Sequence, residues 1–245
     1  MSLPKSATAD TGLDVLTHAL EAYVSVMASD YTDGLALQAI GMVFEYLPRA
    51  YKYGATDVVA REKMHNASCI AGMAFTNAFL GLNHSMAHKL GGDYHIPHGR
   101  ANAILLPYVV EYNAQKPTKF ATFPKYEKFI ADEKYAKIAH YIGKGGKTVE
   151  ESVKNLVQAI RDLEREVNAP VSIQECGIDE KLFFDNLQRL SENAHEDQCT
   201  TANPRYPLIS EISELYTKPI TVNKNLSCNL KPEPIIGSGF SFSFN

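Results

Sequence analysis

Apolar residues recur three and four positions apart in stretch after stretch of this chain, the spacing that lines one face of an α-helix. Alternation of the strand type is missing until the last few residues. Leu13, Leu16, Leu20, Val24 and Met27 predict a first helix with Thr11 as its N-cap. Ala36, Ile40, Val43, Phe44, Leu47 and Tyr51 predict a second, with Asp33 near its start and Gly54 just beyond its end. Residues 59–82 predict a third helix, long and buried, whose Ala67, Ser68, Ala71, Gly72 and Ala74 admit close neighbours. A short helix is expected at 85–90, broken by Gly91 and Gly92, and another at 101–113, bent by Pro107. Val149, Val153, Leu156, Val157, Ile160, Leu163 and Val167 give the cleanest amphipathic pattern, stopped by Asn168 and Pro170. Helices at 179–193, on Leu182, Phe183, Leu187 and Leu190, and at 208–216 complete the set. The fold expected is all-α, one helical domain over residues 4–216, with no internal repeat.

Residues 217–245 differ in character. They carry Pro219, Pro232 and Pro234, one acidic residue and a closing Phe/Ser alternation. A flexible extension, or sequence foreign to the domain, is the expectation. The alternative is a strand added to a partner's sheet edge through Phe240, Phe242 and Phe244.

Charge narrows the partners. Twenty-four basic against 28 acidic residues leave a net charge of -4. No basic block is long enough to favour nucleic acid or an anionic membrane. Residues 66–88 hold no Lys, Arg, Asp or Glu, but Asn66, Ser68, Thr76, Asn77, Asn83, His84, Ser85 and His88 would have to enter the lipid. A helix buried inside a soluble protein is expected instead of a membrane span. Cys69, Cys176, Cys199 and Cys228 are scattered without a CxxC pair, which predicts reduced thiols and no Cys-based zinc site. MSLPKSATADTG lacks the apolar run of a secretory signal, so a cytoplasmic protein is expected.

Candidate chemistry collects on histidines. Asp14 and His18, in LDVLTH, share a helix face, and His84 and His88, in NHSMAH, repeat the spacing. His95 and His98 follow in YHIPHGR, with His98 between Pro97 and Gly99. Imidazole nitrogens with a carboxylate suit a divalent first-row ion such as Fe(II) or Zn(II). Spacing alone leaves metal binding and ordinary packed histidines as equal alternatives. Ser85 stands where an H-E-x-x-H metalloprotease has its glutamate, so peptide hydrolysis falls away. No GxSxG elbow appears, and GKGGK at 143–147 lacks the G-x-G-x-x-G spacing and reads as a turn.

TADTGLDVLTHALEAY, GMAFTNAFLGLNHSMAHKLGGDYHIPHGRANAILLPYVVEYNA and EDQCTTANPRYPLISE together resemble the iron-dependent (group III) alcohol dehydrogenases. With FPKYEKF and KYAKIAHYIG between them, the later blocks look most like the alcohol dehydrogenase part of bifunctional aldehyde-alcohol dehydrogenases. The resemblance covers about residues 4–216. It implies the helical C-terminal domain shared with dehydroquinate synthase-like enzymes, and four metal ligands at Asp14, His18, His84 and His98. It makes His88 a non-ligand beside the metal, toward the nicotinamide, where it can relay a proton. An aspartate with three histidines favours this group over glycerol dehydrogenases and dehydroquinate synthases, which use three protein ligands. Gly72, Phe75 and Phe79, on the helix leading to His84, would line or back the pocket, with plain core packing the first expectation for the two phenylalanines.

The implied reaction interconverts acetaldehyde and ethanol by hydride transfer with NAD(H), on a small alcohol or aldehyde substrate. Family members also have an N-terminal α/β half with a phosphate-binding turn, and no such turn is found here. The implied partner is therefore that missing nucleotide-binding half, or a second copy in a homo-oligomer. Two readings follow: part of a metal-dependent alcohol dehydrogenase, or a catalytically silent metal-binding or assembly module.

Overall fold

In the computed structural model, which describes residues 3–117 and 129–220, regular structure among the described residues is entirely helical. The order is α1 (Lys5–Val24), α2 (Asp30–Tyr53), α3 (Val58–Ala78), α4 (Leu82–Tyr94), α5 (His98–Asn113), α6 (Ala131–Tyr141), α7 (Val149–Glu166), α8 (Glu180–His195) and α9 (Ile209–Thr217). Short 3-10 turns lie at Gln174–Cys176 and Gln198–Ala202. Among the described residues no helix is long and apolar enough to cross a membrane.

Two cores form, and the site lies where they meet. α1, α2, α3, α6 and α7 pack around Leu13, Leu16, Leu20, Ile40, Leu47 and Ile160. α4, α5, α8 and α9 pack around Leu82, Met86, Leu90, Phe183 and Tyr216. α5 serves both: Ala103, Leu106 and Val110 face the first core, while Ala101, Ile104, Leu105 and Val109 face the second. A helix apolar all round must be covered on all sides. Each fully buried Leu or Ile contributes about 1.5–3 kcal/mol relative to exposure.

Buried polar groups pin this junction. Asn203 Oδ1 accepts the Leu82 amide at 3.1 Å, and its Nδ2 donates to Asn113 Oδ1 at 2.8 Å. Arg205 stacks 3.9 Å from the centre of the Tyr112 ring and donates to the Tyr112 carbonyl at 3.0 Å. The NPR segment thus ties the start of α4 to the end of α5.

Several boundaries differ from the sequence expectation. α1 begins at Lys5 behind Pro4, so Thr11 is not its cap; the Thr11 hydroxyl instead donates to the Ala7 carbonyl one turn back. α1 also stops at Val24, short of Met27. α2 starts earlier than its apolar pattern, because Ser29 and Thr32 form a reciprocal capping box. Gly91 and Gly92 do not break α4, which runs to Tyr94 and ends at His95 in the left-handed conformation, φ 56°. Leu90 and Met86, fully buried, hold the helix against the roughly 1 kcal/mol per glycine that propensity costs. α3 is buried on one face only, through Ala60, Ala67, Ala71, Ala74 and Ala78, while Met73 is 52% exposed. Freedom from charge was a poor proxy for burial there. α6, with Ala131, Tyr135, Ile138 and Ala139 inward, was not expected as a helix.

Residues 143–147 form the turn between α6 and α7, as expected. Beyond Tyr216, Pro219 and Ile220 still pack in: their carbonyls accept the amides of Ile173 and Gln174, and Ile220 is buried. The expectations for the remaining tail, including Phe240, Phe242 and Phe244, and for most of FPKYEKF lie outside the described residues.

Candidate metal centre

α1 places Asp14 and His18 one turn apart; His84 sits in the first turn of α4 and His98 is the first residue of α5. The three helices bring one ligand atom from each of Asp14, His18, His84 and His98 within 4.8 Å of one another. Asp14 is the hub. Its Oδ1 lies 3.7 Å from His84 Nε2 and 3.5 Å from His98 Nε2, and its Oδ2 lies 3.7 Å from His18 Nδ1. These distances are too long for hydrogen bonds. Donors about 2.1 Å from one tetrahedral ion stand about 3.4 Å apart, so the spacing fits a shared cation. His84 Nε2 is moreover buried with no hydrogen-bond partner, a costly state unless something binds it. Three imidazoles and a carboxylate are a donor set that iron or zinc accepts.

The field of the site favours a cation. Burial works against the imidazolium of His84, yet Glu21 on one side and Asp14 on the other raise its pKa to about 9. Burial lowers His18 to about 4 despite the attraction of Asp14. His98 is lowered by burial and by its histidine neighbours, against the pull of Asp14. For Asp14 burial acts upward, but His84, His18 and His98 bring its pKa down. At neutral pH the metal-free site therefore holds His84 as the charged imidazolium and His18 as the neutral ring.

Neighbouring side chains hold these groups in place. Glu21 Oε2 meets His84 Nδ1 at 2.5 Å, while Oε1 accepts the Asn83 amide at 2.6 Å. One buried carboxylate thus orients the ring and caps the start of α4, where helix amides lack partners of their own. Gly81 makes room: a Cβ there would lie 2.8 Å from Asn203 Oδ1 and 3.0 Å from Glu21 Oε1. Asn102 Nδ2 donates to Asp14 Oδ1 at 2.8 Å and lies 3.1 Å from His98 Nε2. Gly99 lets α5 approach α1, since a Cβ would stand 2.1 Å from the Asp10 carbonyl oxygen.

His88 stands beside the cluster. Its ring is 6.0 Å from that of His84 and 5.5 Å from that of His98, and its Nδ1 meets Asp197 Oδ2 at 3.1 Å. Phe75 stacks on His18 with ring centres 4.5 Å apart. Phe79 is 55% exposed, and Gly72 borders open space. His95 is an exposed end of α4 and does not join the group. Glu21, Asn102 and Asp197 escaped the sequence reading. Glu21 follows His18 by three positions and Asn102 follows His98 by four, so helical spacing from a candidate ligand was the available signal. Nothing local points to Asp197.

The family described as Fe-containing alcohol dehydrogenase family, C-terminal, matches residues 8–220. An aldehyde-alcohol dehydrogenase of Streptococcus pneumoniae is 53% identical over 88% of this chain and 24% of its own length. An NADPH-dependent butanol dehydrogenase of Clostridium saccharobutylicum is 44% identical over 88% of this chain and 51% of its own. A crystal structure of 1,3-propanediol oxidoreductase superposes with a TM-score of 0.78 at 36% identity, covering 89% of this chain and 53% of that one. The chain thus spans about a quarter of the aldehyde-alcohol dehydrogenases it matches, 24% for the Streptococcus relative. The convergence of α1, α4 and α5 on one histidine-aspartate cluster, and the match along nearly all described residues, make this chain a member of the iron-containing alcohol dehydrogenase family, corresponding to its C-terminal part.

Proposed function

We propose that this chain is the metal-binding part of an NAD(H)-linked alcohol dehydrogenase that interconverts a small alcohol and its aldehyde, ethanol and acetaldehyde first among them. One observation carries the reading: Asp14, His18, His84 and His98 gather four ligand atoms around a buried imidazole nitrogen that has no other partner. These four would hold one Fe(II), with Zn(II) as the alternative for the same donors. Such a cation supplies Lewis acidity toward an alcohol or carbonyl oxygen, and the dinucleotide carries the hydride.

The chain's own residues do the remaining work. Asp14 brings the negative charge, and Glu21 keeps Nε2 of His84 turned inward. Phe75 covers the His18 ring and keeps water from that side. His88, at the half-open edge, takes the alcohol proton and passes it to solvent. The nicotinamide requirement is supported by the NADPH-dependent relative. The nucleotide-binding half, or a second copy of the chain, would cover the uncharged side of α3 where Met73 and Phe79 are exposed.

The test is metal analysis of the purified chain, followed by ethanol oxidation with NAD. Turnover is measured alone and after mixing with the separately produced nucleotide-binding part of a relative. One ion per chain is expected, lost in Asp14→Ala and His98→Ala. His88→Gln should keep the ion and lower turnover in the mixture about 10²–10⁴-fold. A native chain without metal would overturn the reading. Metal without turnover in the mixture would leave a metal-binding or assembly module.

A further inference from the structure

His84 and His88 stand one turn apart on α4, and each meets a carboxylate through the same ring atom, Nδ1. Only His84 joins the four-residue cluster. The carboxylate partners differ in where they come from. Glu21 approaches from α1, whereas Asp197 caps the 3-10 turn Gln198–Ala202 that follows α8.

Asp197 is densely engaged. Its Oδ2 receives Lys89 Nζ at 2.8 Å and faces His88 Nδ1 at 3.1 Å, and its Oδ1 accepts the Cys199 amide at 3.0 Å. The carboxylate is 9% exposed, His88 36%. Thr200 locks the turn onto α4, its hydroxyl lying 2.7 Å from the Ala194 carbonyl and 2.8 Å from Ser85 Oγ. Burial alone would raise the Asp197 pKa, but Lys89, the Cys199 amide and His88 bring it to about 2. The group is therefore an acceptor only.

We propose that Asp197 is a positioning residue that takes the Nδ1–H of His88, fixing the ring in the tautomer whose lone pair is on Nε2 and tethering it beside the metal cluster. An unconstrained histidine side chain in water favours the opposite, Nε2–H tautomer, so the carboxylate, by setting which nitrogen keeps the proton, has a definite effect to exert. Lys89 shares the same oxygen and tempers its basicity, which keeps the Nδ1 proton on the ring. The catalytic consequence rests on the reading of His88 as proton carrier. A proton taken at Nε2 makes an imidazolium whose charge faces Asp197, and its release from Nε2 restores the starting tautomer.

The test uses the whole chain with ¹⁵N-labelled histidine, zinc-loaded and metal-free, at pH 8.5. Long-range ¹H–¹⁵N spectra read the tautomer, and His88→Gln identifies the signal. The native chain should show His88 protonated at Nδ1. Asp197→Ala should make Nε2–H the major form, and Asp197→Glu should restore Nδ1–H in part. Thr200→Val loosens the same turn without touching the carboxylate and should leave the tautomer unchanged. Nε2–H in the native chain would overturn the proposal, and that spectrum needs no variant to fold. Nδ1–H persisting in Asp197→Ala, or lost equally in Thr200→Val, would overturn it as well. Turnover in the reconstituted mixture separates the two readings. If His88→Gln turns over normally while the native ring is Nδ1–H, the positioning stands and the proton relay falls.

Discussion

Glu21 concentrates three tasks in one buried side chain: it orients His84, caps α4 and puts a second negative charge beside the cation site. Partners of this kind set the orientation and basicity of a metal-bound histidine. Glu21→Gln keeps the shape and removes the charge, so zinc affinity should fall about 10–100-fold, read by competition with a chromophoric chelator. Unchanged affinity would mean that the contact only packs. The cluster was half legible in the sequence. Asp14 with His18 declares itself by helical spacing, but the same spacing wrongly groups His84 with His88. What separates those two is Glu21 and Asp197, which reach them from 63 and 109 positions away along the chain. No local pattern carries that information.

Among elements, legibility followed the strength of the apolar face. α7 and α8 appear almost as the pattern predicts, because each sets one apolar stripe against charged residues and has a Thr148 or Asp179 cap. α4 is different: its glycines predict a break, and burial overrides them. α6 is short and carries few large apolar residues, so its sequence shows no clear apolar stripe. Glycine has opposite roles in α5 and α3, and substitutions should expose this. Gly99→Ala drives a Cβ against the Asp10 backbone, which cannot yield as a side chain would. A loss of about 1–3 kcal/mol in urea unfolding is expected, with weaker metal binding as α5 moves His98 from Asp14. Gly72→Ala meets nothing within 4 Å inside α3. It should stabilise the chain by about 0.4–1 kcal/mol, because alanine restricts the unfolded chain and favours helix. Equal effects at the two positions would show that the α1–α5 contact is not tight.

In the whole molecule, a cation at the cluster would join α1, from one core, to α4, from the other, through the shared α5. Metal binding should therefore stabilise the chain as a unit, by about 4 kcal/mol when free zinc is 1,000-fold above its dissociation constant. The pH dependence of that gain has a definite sign. His84 is raised to about 9 and must surrender its proton before Nε2 accepts a metal, whereas His18, lowered to about 4, is already neutral. Below about pH 9 the proton competes with the ion, so apparent affinity should rise close to tenfold per pH unit between about pH 6 and 8. Calorimetry in buffers of different ionisation enthalpy should find about one proton released per ion near pH 7. Without metal the same group acts oppositely: its extra stability is full below the ordinary histidine value near 6.5 and is lost as pH rises through about 9. Burial also raises Glu164, in α7, to about 8, but it shifts the loaded and metal-free curves alike and cancels from their difference. Metal should thus widen its margin over the metal-free chain as pH rises. A margin that stays constant from pH 6 to 8 would mean that His84 is neutral between Glu21 and Asp14, and that its partners orient the ring without charging it.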